Sequence, residues 1–366
     1  MGVKIKQLIY SKNIDLSQLE GSIIAIDAPN IIMSLFNFSF KNKGYSYSDL
    51  MIDRTQRVIS HLYGLLFRIN FYYSKKILPI FCFDGRVSEL KRVITKDMLN
   101  DFRVTKQWYQ NAIKSNNRKL ARQIAMSKEF LWPNIVEESR NLLGSLGIPY
   151  IDSPASAESQ CAHLVKKNIA NYSNSQDFDS LLFGCPFSIH NLSKSLRRKE
   201  QGKWTYKKIT PILYDLSENL EILKINQFQL IDMGILIGTD YSPGVKGIGP
   251  KKALQLIKMY HNLENIILNE NHKFDFKHLT EIKIRKIRKI FLLPETITAI
   301  DNLYWNVPNK SKVKELLCEN HTLNMERVEK NLETLQSNYH KCLEFFESMK
   351  TQPKFIQKTL DMNFAT

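Results

Sequence analysis

Six carboxylates stand out by where they fall in the chain. Asp27 and Asp84 each close a short apolar run, SIIAID and ILPIFCFD, and Glu158 lies in PASAESQCAHLV. Asp177 and Asp179 flank one residue of SQDFDSLLFG, and Asp240 follows ILIGT. Taken singly, such an acid is most often a helix cap or a turn residue. The ensemble reads differently. Acids set beside core strands repel one another and resist leaving water unless a cation compensates, and oxygen-only ligands select hard divalent ions such as Mg2+, with Mn2+ as a substitute. Six acids are enough for two such ions. Zinc is disfavoured, because the eight histidines form no HExxH-like cluster and the five cysteines (Cys82, Cys161, Cys185, Cys318, Cys342) form no CxxC pair. Reduced thiols in an intracellular protein are expected.

A second kind of chemistry is phosphate binding. The segment GVKGIGPKKALQLI, Gly244 to Ile257, is a glycine-rich turn entering a helix, with Pro250 in its first turn and Lys251 and Lys252 close behind. Glycines admit an oxyanion to the backbone amides, and the helix start adds a positive dipole end, so a phosphate docks without any base being read. It is not a dinucleotide fingerprint, since Lys252 stands where GxGxxG needs its third glycine and no strand precedes it. From Arg86 to Lys128 there are eleven Lys or Arg against three acids, starting just after Asp84, so basic side chains would project over the acidic site. Within it, Trp108 and Tyr109 either stack on an unpaired base or pack into the domain, and packing is favoured. Near the end, QKTLDMNF spaces Gln357, Leu360 and Phe364 so that one helical turn brings them to one face, as a partner-docking segment would.

The elements that must position these groups follow from periodicity. Ser22 to Asp27, Ile77 to Asp84 and Gly147 to Asp152 read as buried strands. Segments with three- and four-residue apolar spacing lie between them, such as Arg54 to Ile69, so the fold expected is α/β, a mostly parallel central sheet flanked by helices. Ligands gather at the carboxyl ends of such strands, where Asp27 and Asp84 fall. KHLTEIKIRKIRKIF reads as an amphipathic helix with Ile284, Ile287 and Phe291 inward and Lys283, Arg285, Lys286, Arg288 and Lys289 on a positive face. From about Glu326 one long polar helix is expected, and after Pro353 an irregular tail. The 366 residues suit two or three domains or one large α/β unit, and 52 Lys and Arg against 36 acids, a net +16, point to polyanionic partners. No apolar run is long enough for a membrane helix. The amino terminus has no apolar signal core, and Lys6 stands where a myristoylation motif needs Ser or Thr, so neither export nor anchoring is expected.

Together these segments resemble the flap endonucleases, the structure-specific 5′ nucleases of replication and repair in archaea and eukaryotes. The resemblance runs through nearly the whole chain in family order: MG at the start, IAIDAPN, SHLYGLLFR, FCFDG with Leu90 and Lys91 beyond it, IPYIDSPASAESQCA, DFDSLLFG, LIGTDYSPGVKGIGPKKAL and QKTLDMNF. It implies a monomeric nuclease that uses two Mg2+ ions to cut DNA bearing a 5′ flap or nick, with 5′-3′ exonuclease activity, in replication and base excision repair. It implies metal ligands at Asp27, Asp84, Glu158, Asp177, Asp179 and Asp240, with Asp27, Lys91 and Asp179 catalytic and Lys91 on the scissile phosphate. DNA would be held by Gly2, Arg68, Glu158, Gly238, Asp240, Gly247, Gly249, Lys251 and Lys252. It further implies a helical arch after Asp84, a helix-hairpin DNA-binding element, and a box at Gln357, Leu360 and Phe364 that docks on the replication sliding clamp. The implied division is 1–102, N-terminal nuclease region; 103–120, remainder of the arch; 121–258, internal nuclease region with the helix hairpin; 259–350, C-terminal helical region; and 351–366, the tail. The compartment implied is the nucleus for a eukaryote and the cytoplasm for an archaeon.

Three positions depart from the family pattern. Ser156 replaces an acid two residues before Glu158, Met98 replaces a basic residue beyond Lys91, with Lys96 and Arg103 nearby, and Asn363 replaces a closing aromatic of the clamp box. The rival expectation is therefore a relative that binds DNA junctions but cleaves them poorly. A phosphohydrolase of small nucleotides is a third reading, opposed by the length and charge of the region after Asp84.

Overall fold

In strand β2 (Ile23–Asp27) successive side chains go to opposite cores. Ile24 and Ile26 pack on one side and Ala25 on the other. β3 (Leu78–Phe83) does the same from Ile80 on, with Phe81 and Phe83 on the first side and Ile80 and Cys82 on the second. A strand buried on both faces must be apolar throughout, which is why these runs show no polar alternation. The computed structural model describes residues 2–37, 53–54, 57–86, 88, 90–91, 106–112, 114–117, 120–121, 124, 128–192, 195–200, 203–300 and 303–351.

The strands are β1 (Lys12–Asn13), β2 (Ile23–Asp27), β3 (Leu78–Phe83), β4 (Tyr150–Asp152), β5 (Tyr172–Asn174), β6 (Phe187–His190), β7 (Ser195–Glu200), β8 (Lys203–Lys208) and β9 (Ile212–Asp215). Seven form one sheet in the order β1-β9-β6-β5-β2-β3-β4, and β7 and β8 form a separate antiparallel hairpin. β2 to β6 run parallel, while β9 and β1 add antiparallel pairs at one edge. From β2 the chain builds outward through β3 and β4, then returns to lay β5 on the other side of β2. That reversal opens a crevice at the carboxyl ends of β2 and β5.

The helices are α1 (Ala28–Asn37), α2 (Ser60–Ser74), α3 (Lys128–Ser145), α4 (Ala157–Lys166), α5 (Asp179–Leu182), α6 (Leu216–Leu223), α7 (Gln227–Ile237), α8 (Pro250–Tyr260), α9 (Leu263–Glu270), α10 (Glu281–Leu292), α11 (Lys310–Lys314) and α12 (Met325–Thr351). α1, α2, α3 and α12 cover one face of the sheet through Ile32, Leu65, Leu142 and Leu332. The other face carries α4 and α7 to α10 through Cys161, Ile231, Ile257, Ile266 and Ile287. Among the described residues no helix is long and apolar enough to cross a membrane.

Several local expectations shift. β4 begins at Tyr150 instead of Gly147, because Gly147 turns the chain out of α3 with φ +71°. A Cβ there would stand 2.2 Å from the Asn306 carbonyl oxygen, so the position needs glycine for both backbone and space. The helix expected from Arg54 starts at Ser60, because Asp53 and Arg57 close a turn of their own: the Asp53 amide donates to the Arg57 carbonyl, and Arg57 returns its amide and Nε to the Asp53 carboxylate. α10 forms with Thr280 as its cap, and Ile284, Ile287 and Phe291 are buried. Arg288, expected on the positive face, is drawn inward by Asp232 at 2.7 Å and by Glu264. Charge pairing overrides the polar pattern there. The five strands after β4 were not legible, since β5 is only Tyr-Ser-Asn and its polar side chains are buried.

A polar knot joins the start of α2 to α3 and to the turn before α12. His61 Nε2 lies 2.8 Å from Glu138, His321 lies 3.4 Å from the same carboxylate, and His321 Nδ1 lies 3.8 Å from Asp53. Burial pushes the His61 imidazole below its ordinary 6.5 despite the neighbouring Glu138. Burial alone would raise Glu138, but hydrogen bonds from His321 and His61 outweigh it and hold the carboxyl at about 2. Both groups bind protons more readily unfolded than folded, so the stability they contribute is full above pH 6.5 and is lost on acidification, first at His61 and then at Glu138. Their share of the unfolding free energy, read by urea titration as the difference between wild type and His61→Gln, should therefore fall from pH 7.5 to pH 4. His61→Gln should thus cost more stability at pH 7.5 than at pH 4; an equal cost at both would place the dependence elsewhere.

Candidate metal centre and nucleic-acid surface

The crevice between β2 and β5 collects the acids. Asp27 is the last residue of β2, Asp84 follows β3, Glu158 lies in the first turn of α4, and Asp179 opens α5 after the β5 turn that carries Asp177. Asp240 comes from the loop leaving α7. Asp27, at 4% exposure, and Asp179, at 2%, are buried nearly to the protein interior. Burial, reinforced by Asp84 and Asp177, raises the Asp27 carboxyl to about 7. Burial also raises Asp179 to about 7, with Asp240 and Asp177 adding to it against a hydrogen bond from Val3. Glu158 is raised well above its ordinary range by burial and then by Asp179, Asp27 and Asp177. Each of these three is thus acted on by other acids of the six.

Their hydrogen bonds come from the chain itself. The Ser175 hydroxyl reaches Asp27 at 2.9 Å and Glu158 at 3.1 Å. Asp84 accepts from the Ala157 amide at 2.8 Å, at the positive start of α4. Asp177 accepts from the Gly2 amide and from Asn30 Nδ2, and Asp179 from the Val3 amide at 2.6 Å. Lys91 Nζ lies 2.8 Å from Asp240. Burial would lower its pKa, but Asp240 and Asp84 together hold it above the ordinary lysine value. The buried Tyr241 ring packs edge-on against Phe291 of α10 and so anchors the Asp240 loop to the core.

The donor set suits a hard divalent cation: every ligand atom is a carboxylate oxygen, and buried like charges are relieved by positive charge. Among the described residues no three acidic, histidine or cysteine side chains close into a compact site for one ion. The fit is therefore one of charge and atom type, with the acids spread along the crevice. Ser156 stands at the mouth of α4 as its cap, its hydroxyl accepting from the Ser159 amide at 3.2 Å.

The glycine turn lies beyond Asp240. α7 ends at Gly238, Gly247 has φ +87°, and Gly249 caps α8 with Pro250 as its first residue. Gly244 crosses so close to α7 that a Cβ would meet the Ile237 carbonyl oxygen at 2.4 Å. Lys251 and Lys252 are exposed at the start of α8, and nothing stands within 4 Å of a Cβ built on Gly249, so an anion has open access to those amides. Arg68 is engaged differently: its guanidinium donates to the Leu192 carbonyl, tying α2 to the segment after β6. Of the aromatic pair, Trp108 is 59% exposed, whereas Tyr109 packs on Ala112, Ala121 and Ile124. Packing is thus the outcome for one ring only. Met98, Lys96, Arg103, Asn363 and the box Gln357, Leu360 and Phe364 lie outside the described residues.

Sequence reading missed Asn30, Ser175 and the backbone of Gly2 and Val3 as partners of the acids. Asn30 follows Asp27 by three residues and Ser175 precedes Asp177 by two, so proximity to the acids was the signal available.

The XPG I-region family model matches residues 147–240, the span from Gly147 to Asp240. Flap endonuclease 1 of Staphylothermus marinus is 39% identical over 344 residues, covering 93% of this chain and 95% of that protein. Among solved structures, flap endonuclease-1 from Methanococcus jannaschii superposes with a TM-score of 0.70 at 25% identity, covering 93% of this chain and 99% of that one. The catalytic core of Rad2 in complex with DNA substrate shares the fold, with a TM-score of 0.61 at 22% identity over 89% of this chain and 95% of that one.

Two outcomes follow from the buried charge and the cap. In EDTA, Asp27→Asn should be more stable than wild type by about 0.5–2 kcal/mol, since it removes one repelling charge from an unfavourable cluster. Equal or lower thermal midpoints would show that the acids are not repelling. Ser156→Glu should lower the Mg2+ needed for activity while losing about 1 kcal/mol of stability with the cap. Unchanged metal dependence would show that an acid at this position cannot reach the crevice.

Proposed function

The chain belongs to the flap endonuclease family and is a metal-dependent, structure-specific nuclease of DNA replication and repair, and from that premise we propose how its residues divide the work. Asp27, Asp84, Glu158, Asp177, Asp179 and Asp240 would together hold two Mg2+ ions along the crevice. Bound there, the ions supply Lewis-acid charge, a water of lowered pKa and compensation for the leaving oxygen. The observation that carries this reading is the convergence of Asp27, Glu158 and Asp179 on one crevice, where Ser175 bridges the first two and burial with neighbouring carboxylates raises all three.

Lys91 brings a charge to the same crevice. Its pairing with Asp240 keeps the ammonium close to the acids, where it would neutralise the scissile phosphate. Gly238, Gly247, Gly249, Lys251 and Lys252 would hold a phosphate of the duplex, with Gly2, Glu158 and Asp240 lining the path to the cut bond. Arg68 would act on DNA through the position of the segment after β6. Contacts of this kind read backbone shape and not base sequence, which suits a substrate defined by its junction.

The same enzyme would remove 5′ ends exonucleolytically and act in base excision repair as a monomer. Its regions would be 1–102, 103–120, 121–258, 259–350 and 351–366, with Gln357, Leu360 and Phe364 docking on the sliding clamp. The protein acts inside the cell, and its archaeal relatives favour the cytoplasm over a nucleus.

A labelled 5′-flap duplex incubated with the protein in Mg2+ should be cut near the junction. Asp179→Ala should abolish cutting but keep junction binding. Lys91→Ala should lower kcat by about 10²-fold. Equal inertness of wild type and Asp179→Ala, with both binding the junction, would instead select the weakened relative. Duplex DNA that fails to compete would point to small nucleotides as substrates.

A further inference from the structure

Ser175 belongs to none of the functional assignments above, yet its hydroxyl stands where the acids meet. It is wholly buried, directly after β5 and two residues before Asp177. A serine hydroxyl has one proton and two lone pairs. Here the Asp177 amide donates to Oγ at 3.2 Å, which takes up a lone pair and orients the group. The single proton then faces Asp27 Oδ2 at 2.9 Å and Glu158 Oε1 at 3.1 Å, carboxylates from two different elements, β2 and α4. It is a hydrogen bond to the Glu158 carboxylate from the segment that follows β5.

Asn30 completes the arrangement from the opposite side. Its amide donates to Asp27 Oδ1 at 3.2 Å, its Nδ2 donates to Asp177 Oδ2 at 3.3 Å, and its Oδ1 accepts from the Gln176 amide at 3.3 Å. Asp27 is thereby fixed through both oxygens. Repelling carboxylates left to themselves would turn apart, so groups that hold them in place are as necessary to a metal site as the ligands.

We propose that Ser175 is a positioning residue for metal binding, its hydroxyl holding Asp27 and Glu158 at one shared cation position while Asn30 holds Asp27 against Asp177. The proposal rests on the metal-dependent reading of the crevice. It separates the hydroxyl from the volume of the side chain, because only the former reaches the acids.

The test titrates Mn2+ by calorimetry into wild type, Ser175→Ala, Ser175→Cys and Ser175→Thr, and follows 5′-flap cleavage against Mg2+. Ser175→Ala and Ser175→Cys should bind Mn2+ about 10-fold more weakly and need about 10-fold more Mg2+ for half-maximal cleavage. Their kcat at saturating Mg2+ and their binding of the flap duplex in EDTA should change far less, and Ser175→Thr should behave as wild type. Wild-type Mn2+ affinity in Ser175→Cys would overturn the proposal, since cysteine keeps the volume without a strong hydroxyl. So would Ser175→Thr binding as weakly as Ser175→Ala at an unchanged thermal midpoint. A wild type that neither binds Mn2+ nor cuts the flap would refute the functional reading itself, a result distinct from either of these.

Discussion

Two nearly inaccessible carboxylates, Asp27 and Asp179, with four more acids along the same crevice, are the constraint to which the rest of the molecule answers. Asp27 and Asp179 are each nearly inaccessible, and each is raised to about 7 by burial and by its neighbours. A fold that keeps such groups has to hold them against mutual repulsion. It does so with donors from every side: the amides of Gly2 and Val3, the amide of Ala157 at the start of α4, the side chains of Asn30 and Ser175, and the ammonium of Lys91. Stability is given up locally so that positive charge is attracted when it arrives.

The sheet makes that concentration possible. Parallel strands end their carboxyl termini on one side, and the reversal of strand order between β2 and β5 leaves a crevice there. The two cores on either side differ in purpose as well as composition. One, with α2, α3 and α12, is aliphatic and aromatic packing tied by the His61–Glu138–His321 knot. The other carries α7 to α10, where the Arg288–Asp232–Glu264 cluster ties α10 to α7 and α9. The glycine turn that leaves α7 is thereby set on a fixed base.

Residue type and order were enough to determine the α/β class, the strand that ends in Asp27 and the one that ends just before Asp84, the amphipathic α10 and the long α12, because apolar periodicity is a local property of the chain. They also marked the six acids, whose chemistry is carried by the side chains themselves, and the glycine turn, whose chemistry depends on side chains being absent. Tertiary structure alone decided what those groups touch. Nothing in KIRKIRKIF distinguishes Arg288 from its neighbours; it is buried because Asp232 and Glu264 happen to face it. Nothing in YSNSQD marks β5 as a central strand or Ser175 as the donor between two acids, since its neighbours come from β2 and α4, far away in the chain. A hydrogen bond depends on position and direction in space, and those are fixed only when distant segments have packed.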